Sequence, residues 1–528
     1  MRPTAASVIA QDPSHQRWVS WLAWVSLGLF TSLWIARWPS FPLARDPAYH
    51  LFIGRQVADA GGILSYEWWE NAPIGRPHLY PPILHLVLAA FLKLGWSPLV
   101  VIRVFSAFLP PFLLLSVWSV MRRCIGEPLA LATLLVGMSP WYFHLHSAIA
   151  MAATLGMIEW LWLIAAIQED RPVAGGMLLA LLWYTHLALP WIVVLTLIGY
   201  GWCEPSARPR LRRVAWGLLL AVPWWLHLLQ HRQLFQIIPR QENRFVELSP
   251  MIFLFAAIGF WHCWRRKGFY RLFPAFLGGC AVLAPAHAYR WLCGEGMLPF
   301  VLLSGVGMEW AARQLARRLL PSAVVSHVAH VGIVSVMAVG LALGAPTLTH
   351  AVGGWQWHWP NSAPWHLMRG PSIDTVQDTD VTLYTPSLER LVRRLSTESR
   401  PGEILWSNAP YALGLVAALA HRPTASAMLT DVMPEEWSTA VSRAQLIVWF
   451  KFEPLPSLLT SSRFIRLDED ALALVLRQAV PMPQAHAPQA VYPLGLSLAM
   501  LGIAVWCIVW ELSAPTSRRR RAVRFVAV

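Results

Sequence analysis

Six consecutive residues, Arg45-Asp46-Pro47-Ala48-Tyr49-His50, place an aromatic ring and an imidazole one helical turn from a carboxylate. They follow directly on the first long apolar run. A carboxylate at such an edge can deprotonate or orient a hydroxyl or an amine. Asp is also a favoured N-cap and Pro a favoured first helical residue, so the same pair opens a helix over about 47–60. Tyr49 and His50 would line the same pocket. His144 and His146, two residues apart, are of a type that ligates metals, although an interfacial or packed histidine is the plainer reading. Glu159 falls near the centre of an apolar run, where an ionisable group is costly without a cavity or a partner. A buried hydrogen bond to His186 or His227 would satisfy it, and a place in a lipid-binding cavity is the alternative.

The elements that must position these groups lie in a membrane. Residues are 56% hydrophobic and only 13% charged, with 31 tryptophans. A soluble domain carries about 25% charged residues, so the chain is a polytopic membrane protein with an interfacial aromatic belt. The N-terminal apolar run, 18–38, reads as a retained helix and not a cleaved leader. The net charge of +14 is concentrated in clusters at Arg122–Arg123, Arg208 to Arg213, Arg265 to Lys267, Arg313 to Arg318 and Arg518 to Arg521. Each stands beside an apolar run, which is the positive-inside pattern and not a nucleic-acid patch. The six cysteines form no disulfide framework or metal motif.

Holding the basic loops inside sets the parity of the crossings between them. Spans are expected at 18–38 and 97–121. The run 81–95 carries His85 and Lys93 and is too short to cross, so it reads as a helix lying on the outer surface. Residues 39–96 then form one external loop. Further spans follow at 127–145 and 148–168, around an outer turn near His144-Leu145-His146. Two short helices within 173–203 meet near Tyr184-Thr185-His186. Runs at 213–230 and 250–265 enclose an outer loop, as do runs at 269–287 and 295–313. A span at 322–345 and a last one at 491–512 bring the count to about twelve, with both termini inside.

Three units result: a transmembrane bundle over 1–345, an extracytoplasmic segment over 346–490, and a final helix with a basic tail over 491–528. In the middle unit, Glu403 to Trp406, Ala444 to Phe450 and Ala471 to Leu476 read as strands and Tyr411 to His421 as a helix. The fold class expected is therefore an α-helical polytopic membrane protein bearing a small extracytoplasmic α/β domain.

The first third resembles the catalytic subunit of oligosaccharyltransferases, within the GT-C superfamily of glycosyltransferases that use lipid-linked phosphosugars. The motifs that carry the likeness are Asp46-Pro47-Ala48-Tyr49-His50, Trp68-Trp69, Ile74-Gly75-Arg76-Pro77, Tyr80-Pro81, Ile102-Arg103 and Ser139-Pro140-Trp141-Tyr142, in that order. Agreement runs over 18–200 and more loosely to 345. The resemblance implies that Asp46 is the catalytic carboxylate, holding a divalent metal or activating the acceptor. It implies that Glu247, before Pro250, is the external-loop glutamate facing the metal site, and that Arg290 contacts the lipid phosphate. Two family features are missing. Ala150-Met151-Ala152-Ala153-Thr154 stands where an acidic pair holds the metal, and the Trp-Trp-Asp motif is absent, Trp355-Gln356-Trp357-His358-Trp359 being different. Protein mannosyltransferases and lipid A aminoarabinose transferases, other GT-C branches, rely less on metal but show Asp-Glu where this chain has Asp-Pro.

The implied reaction moves a sugar from a polyprenyl phosphate or diphosphate to an extracytoplasmic protein, lipid or glycan. Its leaving group is anionic, so a cation must meet the departing phosphate. Arg290 suits this, because a guanidinium pairs with phosphate bidentately. Arg45, Arg76, Arg240 and Arg244 lie in external loops and would add to the field, and Tyr80 stands beside the first-loop motif. A Mg2+ or Mn2+ ion held by Asp46, Glu247, His144 and His146 is the other source of positive charge. Glu247 also reads as an ordinary loop acid and Arg290 as an interfacial anchor. Two other functions stay open. A transporter or lipid-sugar flippase would show internal repeats, which are not seen, and a non-catalytic GT-C-like assembly partner would explain the missing acidic pair. The expected location is the plasma membrane.

Overall fold

The computed structural model describes residues 13–37, 43, 46–234, 246–285, 287–319, 332–337, 339–341, 346–351, 354–369, 385–426, 437–480 and 483–513. Arg45, Arg240, Arg244, most of the expected span 322–345 and the Arg518–Arg521 cluster lie outside the described residues.

The first helix, α1 (Pro13–Arg37), is followed by the first-loop helix α2 (Asp46–Ala60) and by α3 (Ile83–Lys93). Between the last two run three short strands, β1 (Gly62–Leu64), β2 (Tyr66–Glu67) and β3 (Arg76–Pro77). Helix α3 has only 11 residues, in keeping with a segment too short to cross. It does not lie free on a surface, however: Ile83 to Leu86, Leu88 and Ala89 are buried, and Leu88 packs on Gly54 of α2. Helix α4 (Pro98–Ile125) runs 28 residues, capped at its start by the Ser97 hydroxyl accepting from Val100 N.

The expected span 127–145 is broken. Helix α5 (Glu127–Gly137) stops short of Pro140, and α6 (Trp141–Ile149) restarts after it, before α7 (Met151–Gln168). Proline has no N–H to continue the ladder and bars the helical conformation from the residue before it. His144 and His146 therefore lie within α6 and not in an outer turn. The pair α8 (Pro172–Thr185) and α9 (Leu189–Cys203) breaks where expected, and His186 Nδ1 accepts from Ala188 N and Leu189 N at 3.2 and 3.0 Å to start α9. Glu159 Oε1 accepts from the Thr185 hydroxyl at 2.8 Å, so its partner is neither of the expected histidines. The bundle continues through α10 (Arg208–Val214), α11 (Gly217–Gln230), α12 (Pro250–Arg265), α13 (Leu272–Cys280), α14 (Ala288–Leu292) and α15 (Met297–Leu319).

Among the described residues, five helices are long and apolar enough to cross a membrane: 17–37, 98–125, 151–168, 288–319 and 494–513. Others, including α5, α8, α9 and α11, are apolar but shorter.

Residues 386–478 build a four-stranded sheet in the order β7-β8-β10-β9, with β7 (Leu405–Ser407), β8 (Leu446–Phe450), β9 (Phe464–Glu469) and β10 (Ala473–Gln478). Strand β7 is parallel to β8, and the other pairs are antiparallel. Every residue of β8 is buried, because helices cover the sheet. The helix Pro386–Glu398 buries Leu388, Leu391, Val392 and Leu395, an apolar stripe at helical spacing, beside the helix Pro410–Ala420.

This sheet is stitched to the loop between α1 and α4. Strand β1 pairs with β11 (Ala490–Pro493), Thr424 N donates to Trp69 O at 2.8 Å, and Ala72 N donates to Thr424 O at 2.9 Å. A Cβ at Gly62 would come within 1.8 Å of Tyr492 O, so only glycine allows that approach. A second junction is the antiparallel sheet β4-β5-β6, in which β4 (Val246–Leu248) of the bundle pairs with β5 (Thr347–Ala351), and β5 with β6 (Gly354–His358).

Candidate active site

Asp46 is exposed at the first turn of α2, a carboxylate set at the positive end of a helix dipole. Behind it, Tyr80 is buried between α2 and α3. Burial, then the charges of Asp46 and Glu295, push its phenol above the usual range, against Arg290. Asp46 and Glu295 both act electrostatically on Arg290. Groups from residue 46, residue 80 and the 288–295 turn are thus within electrostatic reach of one another.

That turn is built tightly. Arg290 Nη1 lies 3.6 Å from Glu295 Oε1, with the guanidinium partly exposed and the carboxylate buried. The other Glu295 oxygen lies 3.5 Å from His146 Nε2, while His146 Nδ1 and the Tyr289 hydroxyl are 2.6 Å apart. A Cβ at Gly294 would meet Arg290 Cα at 3.0 Å and His146 Nε2 at 3.1 Å, so glycine lets the turn close onto α6. His186 acts on the same carboxylate, and its ring stands 6.5 Å from that of Tyr80. The result is an exposed acid, a partly exposed arginine and a buried second acid that orients the arginine through charge.

Glu295 was not singled out in the sequence. Its signal is legible afterwards: an acid between two glycines, five residues beyond Arg290 and just before an apolar helix.

Other sequence candidates are placed differently. Tyr49 and His50 are buried behind Tyr80 and do not open outward. The Tyr49 ring stands 5.7 Å from Tyr80, and His50 Nδ1 lies 3.0 Å from His85 Nε2. Burial, then the nearby His186 and His78, lower the His50 pKa to about 3, so the ring is neutral. Arg76, expected to add to an open field, is fully buried. Its Nε and Nη2 donate to Glu70 Oε2 at 2.8 and 2.5 Å, and Nη2 stands 3.0 Å from Glu67 Oε2. Glu67 also bonds His78 Nδ1, and burial with the Arg76 charge lowers the His78 pKa to about 3. The Arg76 charge is consumed inside the loop, because a buried guanidinium requires carboxylate partners.

Glu247 is buried on β4 in a second cluster. Its carboxylate accepts from Tyr142 N and from Asn361 Nδ2, each at 3.3 Å, and Asn361 also bonds Thr347 and His366. Burial raises its pKa to about 8, so at neutral pH it is a protonated carboxyl and a poor ligand for a cation. Its strand reaches the arginine turn by another route, since Glu247 N donates to Cys293 Sγ at 3.0 Å.

The four groups offered as metal ligands are not gathered together. His144 Nε2 bonds Gly137 O at 2.7 Å, and its ring packs against Phe30 and Trp34. His146 faces Glu295 and Tyr289, and Glu247 faces Tyr142 and Asn361. Among the described residues, no three or more His, Cys, Asp or Glu side chains are arranged to hold a metal ion. Asp46, His144, His146 and Glu247 do not form such a group.

No protein-family model matches the chain, and no curated protein sequence matches it. Solved structures do. ArnT from Cupriavidus metallidurans bound to undecaprenyl phosphate superposes with a TM-score of 0.52 at 14% identity, over 86% of this chain and 97% of that one. Its apo state gives 0.52 at 16%, over 88% and 98%. The archaeal oligosaccharyltransferase AglB from Archaeoglobus fulgidus, in complex with an inhibitory peptide and a dolichol-phosphate, gives 0.51 at 10%, over 82% and 69%. Both are GT-C superfamily membrane glycosyltransferases, and this chain has the GT-C fold.

Proposed function

We propose that the chain is a membrane glycosyltransferase that moves a sugar from a polyprenyl phosphate or diphosphate to an acceptor outside the cytoplasm. The observation that carries the reading is that the exposed Asp46 lies within electrostatic reach of Arg290, which Glu295 holds at 3.6 Å on a turn far along the chain. Its support is the GT-C fold shared with proteins whose structures hold undecaprenyl phosphate and dolichol-phosphate.

In this reading Asp46 takes the proton of an acceptor hydroxyl or amine as the acceptor attacks the anomeric carbon. The C1–O bond to the lipid phosphate breaks, and the phosphate leaves with the bonding pair. Arg290 pairs with that oxyanion bidentately. Glu295 keeps Arg290 in position, and His146 with Tyr289 keeps Glu295 in position. The turn supplies the positive charge from the chain's own arginine. The topology that fits is the positive-inside one: about twelve crossings, both termini in the cytoplasm, and the site and the four-stranded sheet on the opposite side of a plasma membrane.

The test is turnover of polyprenyl-linked sugars by the full chain in proteoliposomes, wild type against Asp46→Asn, with and without a chelator. The expected result is a loss of about 10²–10⁴-fold in the mutant, the span general-base catalysis contributes, and no change on chelation. Full activity in Asp46→Asn would reduce Asp46 to a helix cap. Chelator-sensitive activity would return the metal to the mechanism. If neither protein turns over any donor, the transport or assembly reading takes its place.

A further inference from the structure

The β4-β5-β6 sheet is inside out for a sheet facing water. Direct pairing sets Leu248 opposite Leu348 and Leu348 opposite Trp357, with His350 opposite Trp355, all on one face. The other face carries Glu247 opposite Thr349, Thr349 opposite Gln356, and Thr347 opposite His358, with Gln356 exposed on the edge strand. A sheet solvated on one side turns its polar residues outward. Here Glu247, Thr347 and Thr349 are buried and bonded to Tyr142, Asn361 and His358. Trp355 and Trp357 point outward, 54% and 64% exposed, and Trp359 just beyond the strand is 78% exposed.

What lies beside this face says what covers it. A single residue, Ser249, separates β4 from Pro250, the first residue of α12. Met251 and Leu254, in the first turns of α12, are likewise exposed apolar side chains. The far end of α12 carries exposed Trp261 and Trp264, with the Arg265 guanidinium 3.8 Å over the Trp261 ring. That is the aromatic and basic pattern of a membrane boundary. A helix of 16 residues rises about 24 Å, short of a hydrocarbon core of about 30 Å. The sheet stands at the deficient end, where the second belt belongs.

We propose that the outward face of the β4-β5-β6 sheet, formed by Leu248, Leu348, Trp355, Trp357 and the adjoining Trp359, is seated in the interfacial layer of the lipid bilayer. The partner is phospholipid at the boundary of head groups and acyl chains, where indole rings are favoured. The inner face gives the seating a consequence. Glu247 holds the start of α6 through Tyr142 N, and its own N–H meets Cys293 in the arginine turn. The depth of the sheet in the lipid thereby sets the height of His146 and Arg290 relative to a lipid phosphate.

The experiment uses the full chain in phosphatidylcholine vesicles, with Trp357 or Trp355 replaced one at a time by photoreactive benzoylphenylalanine. Arg393, exposed on the helix Pro386–Glu398, is the control position. Lipid adducts found by mass spectrometry at 357 and 355, and not at 393, are the expected result. Cross-links to a second copy of the chain or to a glycan acceptor, or no lipid adduct at 357, would overturn the proposal. A second measurement avoids the probe. The variant Trp355→Phe/Trp357→Phe/Trp359→Phe removes three of 31 tryptophans, and in brominated phosphatidylcholine it should lose bromolipid-quenchable emission. An unchanged quenchable emission would also sink it. Neither readout depends on turnover, so failure here is separate from failure of the glycosyltransferase reading.

Discussion

At the residue scale, the site divides its labour between an exposed acid and an arginine held by a buried one. In the proposed transfer, Arg290→Gln removes the charge that would meet the departing phosphate. A hydrogen bond to a charged group contributes about 1.5–3 kcal/mol, so kcat/KM with a polyprenyl-linked donor should fall roughly ten- to a hundredfold. Arg290→Lys keeps the charge but not the bidentate fork, and should recover only part of the loss. Glu295→Gln should leave the protein folded and weaken the donor KM, because Arg290 would lose its nearest acid at 3.6 Å. Donor saturation curves for the three variants check this, and an unchanged KM in Glu295→Gln would separate that residue from the arginine. Asp46 and Arg290 were readable from the sequence as candidates because their types and neighbours are unusual beside apolar runs. Glu295 was not, because its meaning lies in contacts with Arg290 and His146, which is 149 positions away by numbering.

At the element scale, the loop between α1 and α4 is held from within by the Glu67–Arg76–Glu70 triad and not by its surface. Removing one partner leaves an uncompensated buried charge, which costs about 3–5 kcal/mol. Arg76→Gln should therefore lower the temperature at which the detergent-solubilised protein aggregates, and Glu67→Gln should do so as well. A melt unchanged by either would place the triad outside the folding core. Glu247 gives the β4 junction a pH dependence of opposite sign to the usual carboxylate. Its pKa is about 8 when folded against an ordinary 4.5, so between those values the folded state holds the extra proton. Its contribution to stability is present below pH 4.5 and is lost as the pH rises through 8. Glu247→Gln, which mimics the protonated carboxyl, should remove that part of the decline in melting temperature between pH 5 and 8. Equal slopes for wild type and mutant would refute the assignment.

For the whole molecule, the sequence by itself determined the chemistry of the environment and much of the chain's rhythm. Composition required a membrane, apolar runs located α1, α4, α7 and the last helix, and short β-rich runs located β8 and β10. These are local properties, set by residue type and by the periods of helix and strand. Breaks were less legible: α5 and α6 read as one span because their apolar character continues through Pro140, and only backbone geometry ends the first helix there. The tertiary structure alone decided which polar groups face one another. Arg76 and Glu247 are expected in solvated loops and His50 in the open pocket of Asp46, since loops between spans are ordinarily solvated. The fold closes the loops over them, with β1 on β11 and β4 on β5, and burial turned them into partners of other buried groups. Asp46, Tyr80, Arg290 and Glu295 met for the same reason in reverse. Charge is long-ranged in a low dielectric, but which charges share that space depends on chain segments hundreds of residues apart, and no local pattern records it.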